Sequence, residues 1–364
     1  MRHFYGFFLL ISTVVTAQQK NTFALDVSVL RGNTIAHKED MYHLINGHPQ
    51  GLLLEFTVQT HGRKEWQTEY NYPDYGGYFM YQDFNSRPLG LTYSAGAFYN
   101  FYFWKRQLQL KFAQGVALTT HPYDKADNST NKAFGTRILD NTNIGLAYSN
   151  QTVLYPIGFH AGLLFTHYSN GRVKSPNSGI NTFLLNVGLQ YNFTEEKPRA
   201  PQFDSTEVRK SYREPLHYNM VFRTGINESP IIRSGQKPFY HLGFYVDKRL
   251  NRKSGLQLGT DLFLTESFKE YIRYYAVAYP EEQLDSNTDY KRVGLFAGYE
   301  LYINKLSLEA QVGYYVYQPF KKDIAIYDRV GMKYYITNQF FGAFTIKTHM
   351  FLAEALEFGV GYRF

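Results

Sequence analysis

The sequence predicts an all-β protein, an antiparallel outer-membrane β-barrel of about sixteen strands in two sets of eight. Segments in which apolar and polar residues alternate recur along the whole chain, and a period of two is typical of strands. The 364 residues include 33 Tyr and 30 Phe, although the mean hydropathy is only −0.38. Short turns alternate with long polar loops, which is the pattern of outer-membrane barrels.

The N-terminus predicts export from the cytoplasm. Arg2 is followed by an apolar core over Phe4–Val15 and by the small residue Ala17, so residues 1–17 resemble a secretory signal peptide. That core is too short to span a membrane as a helix. No other stretch reaches the roughly 18 apolar residues of a transmembrane helix. Because only helices and closed barrels satisfy their backbone in lipid, we expect a barrel in the bacterial outer membrane.

Sixteen strand-like segments lie on the two sides of a charged, proline-rich stretch. They are predicted at 22–35, 51–61, 66–80, 88–104, 106–119, 135–149, 152–169, 181–193, 217–226, 238–248, 255–265, 292–303, 306–317, 326–336, 340–349 and 355–364. The predicted regions are the signal peptide 1–17, a first barrel region 18–194, a periplasmic linker or turn 195–215 and a C-terminal strand region 216–364.

A single large barrel is favoured over two tandem barrels at this stage. Two closed barrels in one chain are rare, and residues 195–215 can serve as a long periplasmic turn. Tandem eight-stranded barrels remain the alternative, because the two halves end on similar strands. The last strand also ends on Phe364, which resembles the terminal aromatic assembly signal of outer-membrane barrels.

Composition excludes several classes of site. Cys is absent, so the chain has no disulfide, no thiol nucleophile and no cysteine-based zinc site. The net charge is +7, but the basic residues are scattered and follow no groove-binding motif, so nucleic acid is not an expected partner. A phosphorylated lipid is the better anionic partner. No cofactor or metal is predicted, and the oligomeric state is unknown.

A hairpin near the middle of the chain carries the candidate chemistry. Side chains two apart in a strand project to the same face. The apolar face of segment 152–169 ends in His167 and Ser169, and Asn181 begins the matching face of the next strand. In a membrane barrel this face meets lipid. His167 can then take the proton of the nucleophile Ser169, while Asn181 holds the imidazole.

The loop of this hairpin offers hydrogen-bond donors. Asn170, Gly171 and Asn177 lie in it, and amide groups of this kind stabilise an oxyanion. A His-x-Ser sequence in a strand is common and is usually structural. Here the outward face, the position at the rim and the Asn/Gly-rich loop together favour a catalytic interpretation.

Two other motifs have a structural interpretation that outweighs the functional one. His121, Asp124 and Asp127 share a long loop and suggest a cation site, but a solvated loop is the favoured interpretation. Four basic residues cluster between Lys248 and Lys253. They suggest phosphate binding, but a charged periplasmic turn is favoured.

The hairpin motif resembles that of the PagL-type lipid A 3-O-deacylases, often called acyloxyacyl hydrolases. The matching residues are His167-Tyr-Ser169-Asn170-Gly171 and Pro176-Asn177-x-Gly179-x-Asn181, preceded by Trp66, Tyr72-Pro73, Gly115, Pro122-Tyr-Asp124 and Asn131-Lys-Ala-Phe-Gly135. The resemblance covers roughly residues 25–194. Residues 216–364 lie outside it, as a C-terminal extension.

The resemblance implies an eight-stranded barrel whose active site faces lipid, with Ser169 as nucleophile and His167 as base. It also implies that Asn170 and Asn177 lie near the oxyanion. The family carries Glu where this chain has Asn181, and an amide cannot stabilise imidazolium by charge. The expected function is a carboxylic ester hydrolase that removes an acyl chain from lipid A in lipopolysaccharide. The alternative is a non-catalytic barrel, a porin or a structural protein.

Overall fold

The computed structural model describes most of the chain. The residues described are 22–36, 39–62, 64–193, 212, 214–321, 323–350 and 352–364. The predicted signal peptide 1–17 lies outside them. So does the predicted linker 195–215, apart from residues 212, 214 and 215.

Sixteen strands, two α-helices and two 3₁₀ turns make up the described chain. The first eight strands are β1 (Thr22–Ile35), β2 (Gln50–Gln59), β3 (Asp74–Asp83), β4 (Leu91–Phe103), β5 (Leu108–Thr119), β6 (Ile138–Leu154), β7 (Ile157–Ser169) and β8 (Ile180–Asn192). The second eight are β9 (His217–Asn227), β10 (Lys237–Arg249), β11 (Ser254–Thr265), β12 (Arg292–Ile303), β13 (Leu306–Tyr317), β14 (Ile326–Tyr335), β15 (Phe340–His349) and β16 (Leu352–Arg363). The helices are α1 (Glu65–Glu69) and α2 (Ser267–Ala278), and the 3₁₀ turns are Glu39–Leu44 and Pro280–Glu282. None of the described helices is both long and apolar enough to cross a membrane.

The strands form two closed antiparallel barrels of eight, so the prediction of one large barrel is wrong. The edge of β1 that does not pair with β2 pairs with β8, from Ala24 opposite Asn192 to Ile35 opposite Asn181. In the same way β16 returns to β9. Two small barrels form because eight strands enclose an interior that side chains can fill, whereas a barrel of sixteen strands would leave a wide channel.

Both barrels are apolar outside and polar inside. On β1, the outward Val27 is 47% exposed, whereas the inward Asp26 and Ser28 are 5% and 1% exposed. A water-soluble barrel would show the opposite distribution. This arrangement is the one expected when the outer surface of a barrel faces lipid.

The interior of the first barrel combines paired charges with packed rings. Lys111 Nζ lies 2.5 Å from Glu55 Oε2, and both side chains are buried. Near the middle of the barrel the Tyr78 ring occupies the space next to Gly96 and Gly115. A Cβ on Gly96 would lie 2.7 Å from Tyr78 Cε1, and one on Gly115 would lie 2.5 Å from its hydroxyl. Glycines thus make room for the ring that fills the lumen.

The second barrel is filled by buried ion pairs. Arg329 donates to Asp261 Oδ2 at 2.8 Å and to Glu357 Oε2 at 2.7 Å. Lys333 lies 2.8 Å from a carboxylate oxygen of Glu300. All five side chains are fully buried. Because these charges neutralise one another within the lumen, the second barrel is packed rather than open.

One predicted strand begins later than expected. Residues 66–80 are predicted to form one strand, but the chain forms α1 and enters β3 only at Asp74. The helix is short because Asn71 and Tyr72 follow it with positive φ angles of 56° and 57°. This longer connection places α1 at the turn side of the first barrel.

The two barrels contact each other at the turn side. Tyr70, next to α1, donates its hydroxyl to the Tyr302 carbonyl at 2.7 Å. The basic turn after β10 meets the acidic face of α1, where Lys253 Nζ lies 4.0 Å from Glu69 Oε2 and Arg252 pairs with Glu65. In this structure the basic motif of the sequence is thus a contact between the barrels.

Candidate active site

The predicted catalytic residues lie together at the outer end of β7 and β8. His167 and Ser169 project from the outward face of β7, where His167 is directly opposite Asn181 of β8. On the other side of β7, Ser169 is opposite Asp140 of β6. Three strands therefore bring polar groups to one patch on the otherwise apolar outer surface.

A short hydrogen bond sets the orientation of the imidazole. His167 Nδ1 lies 2.6 Å from Asn181 Oδ1. Because an amide oxygen can only accept, Nδ1 must carry the proton, and Nε2 is then the basic nitrogen. Ser169 follows two residues later on the same strand face. The hydroxyl and the imidazole thus project from the same face of β7.

The hydroxyl of Ser169 is shielded by the loop that follows it. Ser169 is 3% exposed, and the backbone N–H of Gly171 donates to its Oγ at 3.3 Å. Asn177 Oδ1 accepts from the Asn170 backbone at 2.8 Å, and Asn170 Nδ2 donates to the Lys174 carbonyl at 2.8 Å. The loop is therefore closed by its own amides, with one N–H directed at the hydroxyl.

Gly179 is a site residue to which the sequence analysis gave no role. Its φ is +69°, and a Cβ there would lie 3.1 Å from His167 Cε1 and 3.3 Å from Ser169 Cβ. Only glycine adopts this conformation without strain and also leaves this space empty. The glycine stood in the family motif, but its contact with both catalytic candidates depends on the folded loop.

Three further polar side chains extend the outward patch, and they were not predicted from the sequence. Asp140 and Thr142 of β6 and Gln114 of β5 form a hydrogen-bonded group, in which Thr142 Oγ1 donates to Gln114 Oε1 at 2.8 Å. The signal was present in the sequence. Residues 138–148 alternate, and Asp140 and Thr142 interrupt the apolar outward face that Ile144 continues.

A second Ser–His–Asp group lies inside the first barrel. His160 Nδ1 is 3.1 Å from Asp26 Oδ2, and Ser28 Oγ is 3.1 Å from His160 Nε2. All three residues are buried. A Cβ on Gly188 would lie 2.4 Å from both His160 Cε1 and Ser28 Oγ, so an ester has no space to approach. This group therefore has a structural role, in which it joins neighbouring strands inside the lumen.

The His121–Asp127 loop is held by its own hydrogen bonds. Asp124 Oδ1 accepts from the backbone of Ala126 at 2.8 Å and of Asp127 at 3.1 Å. The N–H groups of Asp127 and Ala126 lower the pKa of the Asp124 carboxyl. In this loop the carboxylate therefore serves as a turn acceptor.

Among the described residues, one group of His, Asp and Glu side chains is compact enough to consider for a metal. Ligand atoms of Asp323, His349 and Glu354 lie within 4.8 Å of one another. However, Glu354 is already paired with Arg292 at 2.5 Å and with Lys347 at 2.6 Å. Two cations thus occupy the carboxylate that a metal would need.

Comparison with solved structures gives barrels at low similarity. Neisserial surface protein A is 12% identical, with 47% of this chain and 97% of that chain covered and a TM-score of 0.28. The outer membrane enzyme PagL is 19% identical, with 45% and 97% covered and a TM-score of 0.29. A Rhodopseudomonas blastica porin mutant is 9% identical, with 94% and 100% covered and a TM-score of 0.20. No curated protein matches the chain.

Two family models match the chain, one for each barrel. The model described as lipid A 3-O-deacylase (PagL) matches residues 50–190. The model described as the C-terminal domain of acyloxyacyl hydrolase matches residues 216–364, which the sequence resemblance had left outside. Together they match most of the chain. In this outer-membrane protein the first barrel therefore belongs to the lipid A 3-O-deacylase (PagL) family, and the second barrel matches the C-terminal domain of acyloxyacyl hydrolase.

Proposed function

We propose that this protein is a carboxylic ester hydrolase that removes the 3-O-linked acyl chain of lipid A by Ser–His catalysis. Family membership supports a hydrolase that acts on lipid A, and the proposal adds the bond and the residues. The observation that carries it is the outward patch, in which Asn181 Oδ1 accepts from His167 Nδ1 at 2.6 Å and makes Nε2 the basic nitrogen, on the strand face that also carries Ser169. The substrate and the patch both lie at the outer leaflet.

In the first half of the reaction, Ser169 Oγ attacks the ester carbonyl while His167 Nε2 takes its proton. The carbonyl oxygen becomes an oxyanion, which the N–H of Gly171 stabilises together with the side-chain amides of Asn177 and Asn170. Asn170 must first release the Lys174 carbonyl to take part. When the tetrahedral intermediate collapses, the bond between the acyl carbon and the sugar oxygen breaks, and the imidazolium gives its proton to that oxygen, which leaves as a hydroxyl.

In the second half, water hydrolyses the acyl-enzyme. His167 takes a proton from water, the hydroxide attacks the acyl carbonyl, and the proton returns to Ser169 as the fatty acid leaves. Each half-reaction forms an imidazolium next to Asn181, whose amide carries no charge. Asp140 is a candidate to supply a negative charge, since it is opposite Ser169 and diagonal to His167 in the register of β6 and β7.

Mass spectrometry of lipid A tests this function directly. We expect lipid A from cells that express the protein to lack one 3-O-linked acyl chain that is present in a deletion strain. Cells that express Ser169→Ala should match the deletion strain. Identical lipid A in wild-type and deletion strains would favour a non-catalytic barrel.

A further inference from the structure

The loop that shields Ser169, residues 170–179, is bonded to the second barrel. The backbone N–H of Ser175 donates to Glu228 Oε2 at 2.7 Å, and Ser175 Oγ donates to the Ser229 carbonyl at 2.7 Å. In the reverse direction, Glu228 N donates to the Arg172 carbonyl at 3.0 Å. Ser175, Glu228 and Ser229 are 4%, 2% and 3% exposed. Buried hydrogen bonds of this kind are costly to break.

The carboxylate of Glu228 joins the two barrels. Its Oε2 accepts from Ser175 of the loop, while its Oε1 accepts from Gly235 N of the second barrel at 2.9 Å. Gln236 adds a second link by donating to the Val173 carbonyl at 3.0 Å. The middle of the loop is thus held by residues 228–236, the connection between β9 and β10.

The start of the loop also lies against the second barrel. Gly171 has a φ of +59°, and a Cβ there would lie 2.8 Å from Leu356 Cβ of β16. The N–H of the same residue donates to Ser169 Oγ. A predicted oxyanion donor therefore lies between the nucleophile and the wall of the second barrel.

The predicted oxyanion donors are flanked by these contacts. Gly171 touches β16, and Ser175 is bonded to Glu228 only two residues before Asn177. The first barrel also contacts the loop. A Cβ on Gly135 would lie 2.5 Å from the carbonyl oxygens of Lys174 and Pro176, and Ser178 N and Gly179 N donate to the carbonyls of Lys132 and Ala133. Movement of the middle of the loop would displace the donors, and a shift of about 1 Å can cost a hundredfold in rate.

We infer that the second barrel positions the catalytic loop of the first, and that Glu228 is the main positioning residue. This inference rests on the proposed function for its effect on catalysis. The acyloxyacyl hydrolase C-terminal domain then acts as a rigid support for an active site on its neighbour, rather than as a second enzyme or a channel.

Glu228→Ala in the full-length protein tests the inference, because it removes both acceptors of the link. We expect kcat for lipid A in detergent micelles to fall about ten- to a hundredfold with little change in KM, because the misplaced donors act on the oxyanion of the transition state. Hydrogen exchange of the peptide that spans residues 170–177 should become faster. Glu228→Gln keeps one acceptor oxygen and should give intermediate values for both measurements.

Glu266→Ala is the matched control. Glu266 is also an outer-loop carboxylate of the second barrel, and it accepts from Lys269 at 2.5 Å and from Tyr290 at 2.8 Å. It has no bond to residues 170–179 among the described contacts. We expect this variant to keep wild-type kcat and wild-type exchange of the 170–177 peptide. A retained shift of the folded band on boiling in SDS shows that each variant still forms barrels.

Gln236→Ala covers the case in which Glu228→Ala fails to assemble. It removes one hydrogen bond from a surface side chain and should still raise exchange in residues 170–177. A wild-type protein that does not deacylate lipid A, together with faster exchange in residues 170–177 of the variants, would contradict the proposed function but would support the positioning of the loop by the second barrel. The inference that the second barrel positions the loop is overturned if hydrogen exchange of residues 170–177 is unchanged in both Glu228→Ala and Gln236→Ala. It is also overturned if Glu228→Ala assembles correctly, is active and has an unchanged or higher kcat.

Discussion

The contact between His167 and Asn181 sets which nitrogen of the imidazole serves as the base in the proposed mechanism. An Asn in this position orients the ring through an oxygen that accepts from Nδ1, so the tautomer is the same as with a carboxylate. The difference is electrostatic, because an amide does not stabilise the imidazolium that forms in each half-reaction. Asn181 thus keeps the geometry of the third member of a catalytic triad but lacks the negative charge of a carboxylate.

Removal of the nucleophile or of the base should abolish deacylation. We expect Ser169→Ala and His167→Ala each to lower the rate about a thousandfold or more, and the double variant to be no worse, because the two groups act as one unit. Both variants should assemble, since neither side chain belongs to the barrel interior. Quantitative mass spectrometry of lipid A after incubation with purified protein measures the rates.

Ser28→Ala is the control for these variants, because Ser28 also lies beside a His and an Asp. It should keep wild-type deacylation. Loss of activity in Ser28→Ala with intact activity in Ser169→Ala would assign the nucleophile to the lumen and reject the outward site.

Asn181→Asp should keep or raise the rate. The substitution has almost the same shape and places a carboxylate oxygen 2.6 Å from His167 Nδ1, where Asn181 Oδ1 now lies. A charge there stabilises the imidazolium in the transition state, so the gain should appear in kcat. Asn181→Glu should behave similarly if the longer side chain fits. A kcat well below wild type in both variants would show that the site does not work through an imidazolium at His167.

At the level of elements, the turn from the loop into β8 depends on one glycine. Gly179→Ala should lower kcat about tenfold or more, because the new methyl group must displace His167 or Ser169 and the φ of +69° adds strain. Kinetics with lipid A in micelles would measure the loss. An unchanged kcat in a correctly assembled Gly179→Ala protein would remove the steric explanation.

The same strand ends show how much of the site a sequence can predict. The outward direction of His167 and Ser169 follows from alternation, which is a local property of strands. The proximity of Asp140 does not, because it depends on the register between β6 and β7. The interior group around His160 could not be ranked against the outward site until the packing of Gly188 was known.

At the level of the whole molecule, packed lumens predict that the protein does not conduct ions. Lys111 and Glu55 pair inside the first barrel, and Arg329, Asp261 and Glu357 pair inside the second. Purified protein in planar lipid bilayers should therefore show no steady conductance at a concentration at which a sixteen-stranded porin does. Stable open channels would contradict the packed interiors and support the alternative of a porin.

The sequence by itself determined the class of fold, the direction of each strand face and the outward candidates His167, Ser169 and Asn181, because alternation with a period of two depends only on local backbone geometry. Only the tertiary structure decided which strand pairs with the free edge of β1. Closure of the first barrel depends on contacts between residues 146 to 168 positions apart, from Ile35 with Asn181 to Ala24 with Asn192, and no local pattern encodes them. The bond from Glu228 to Ser175 is of the same kind, since it exists only when two separately closed barrels lie side by side.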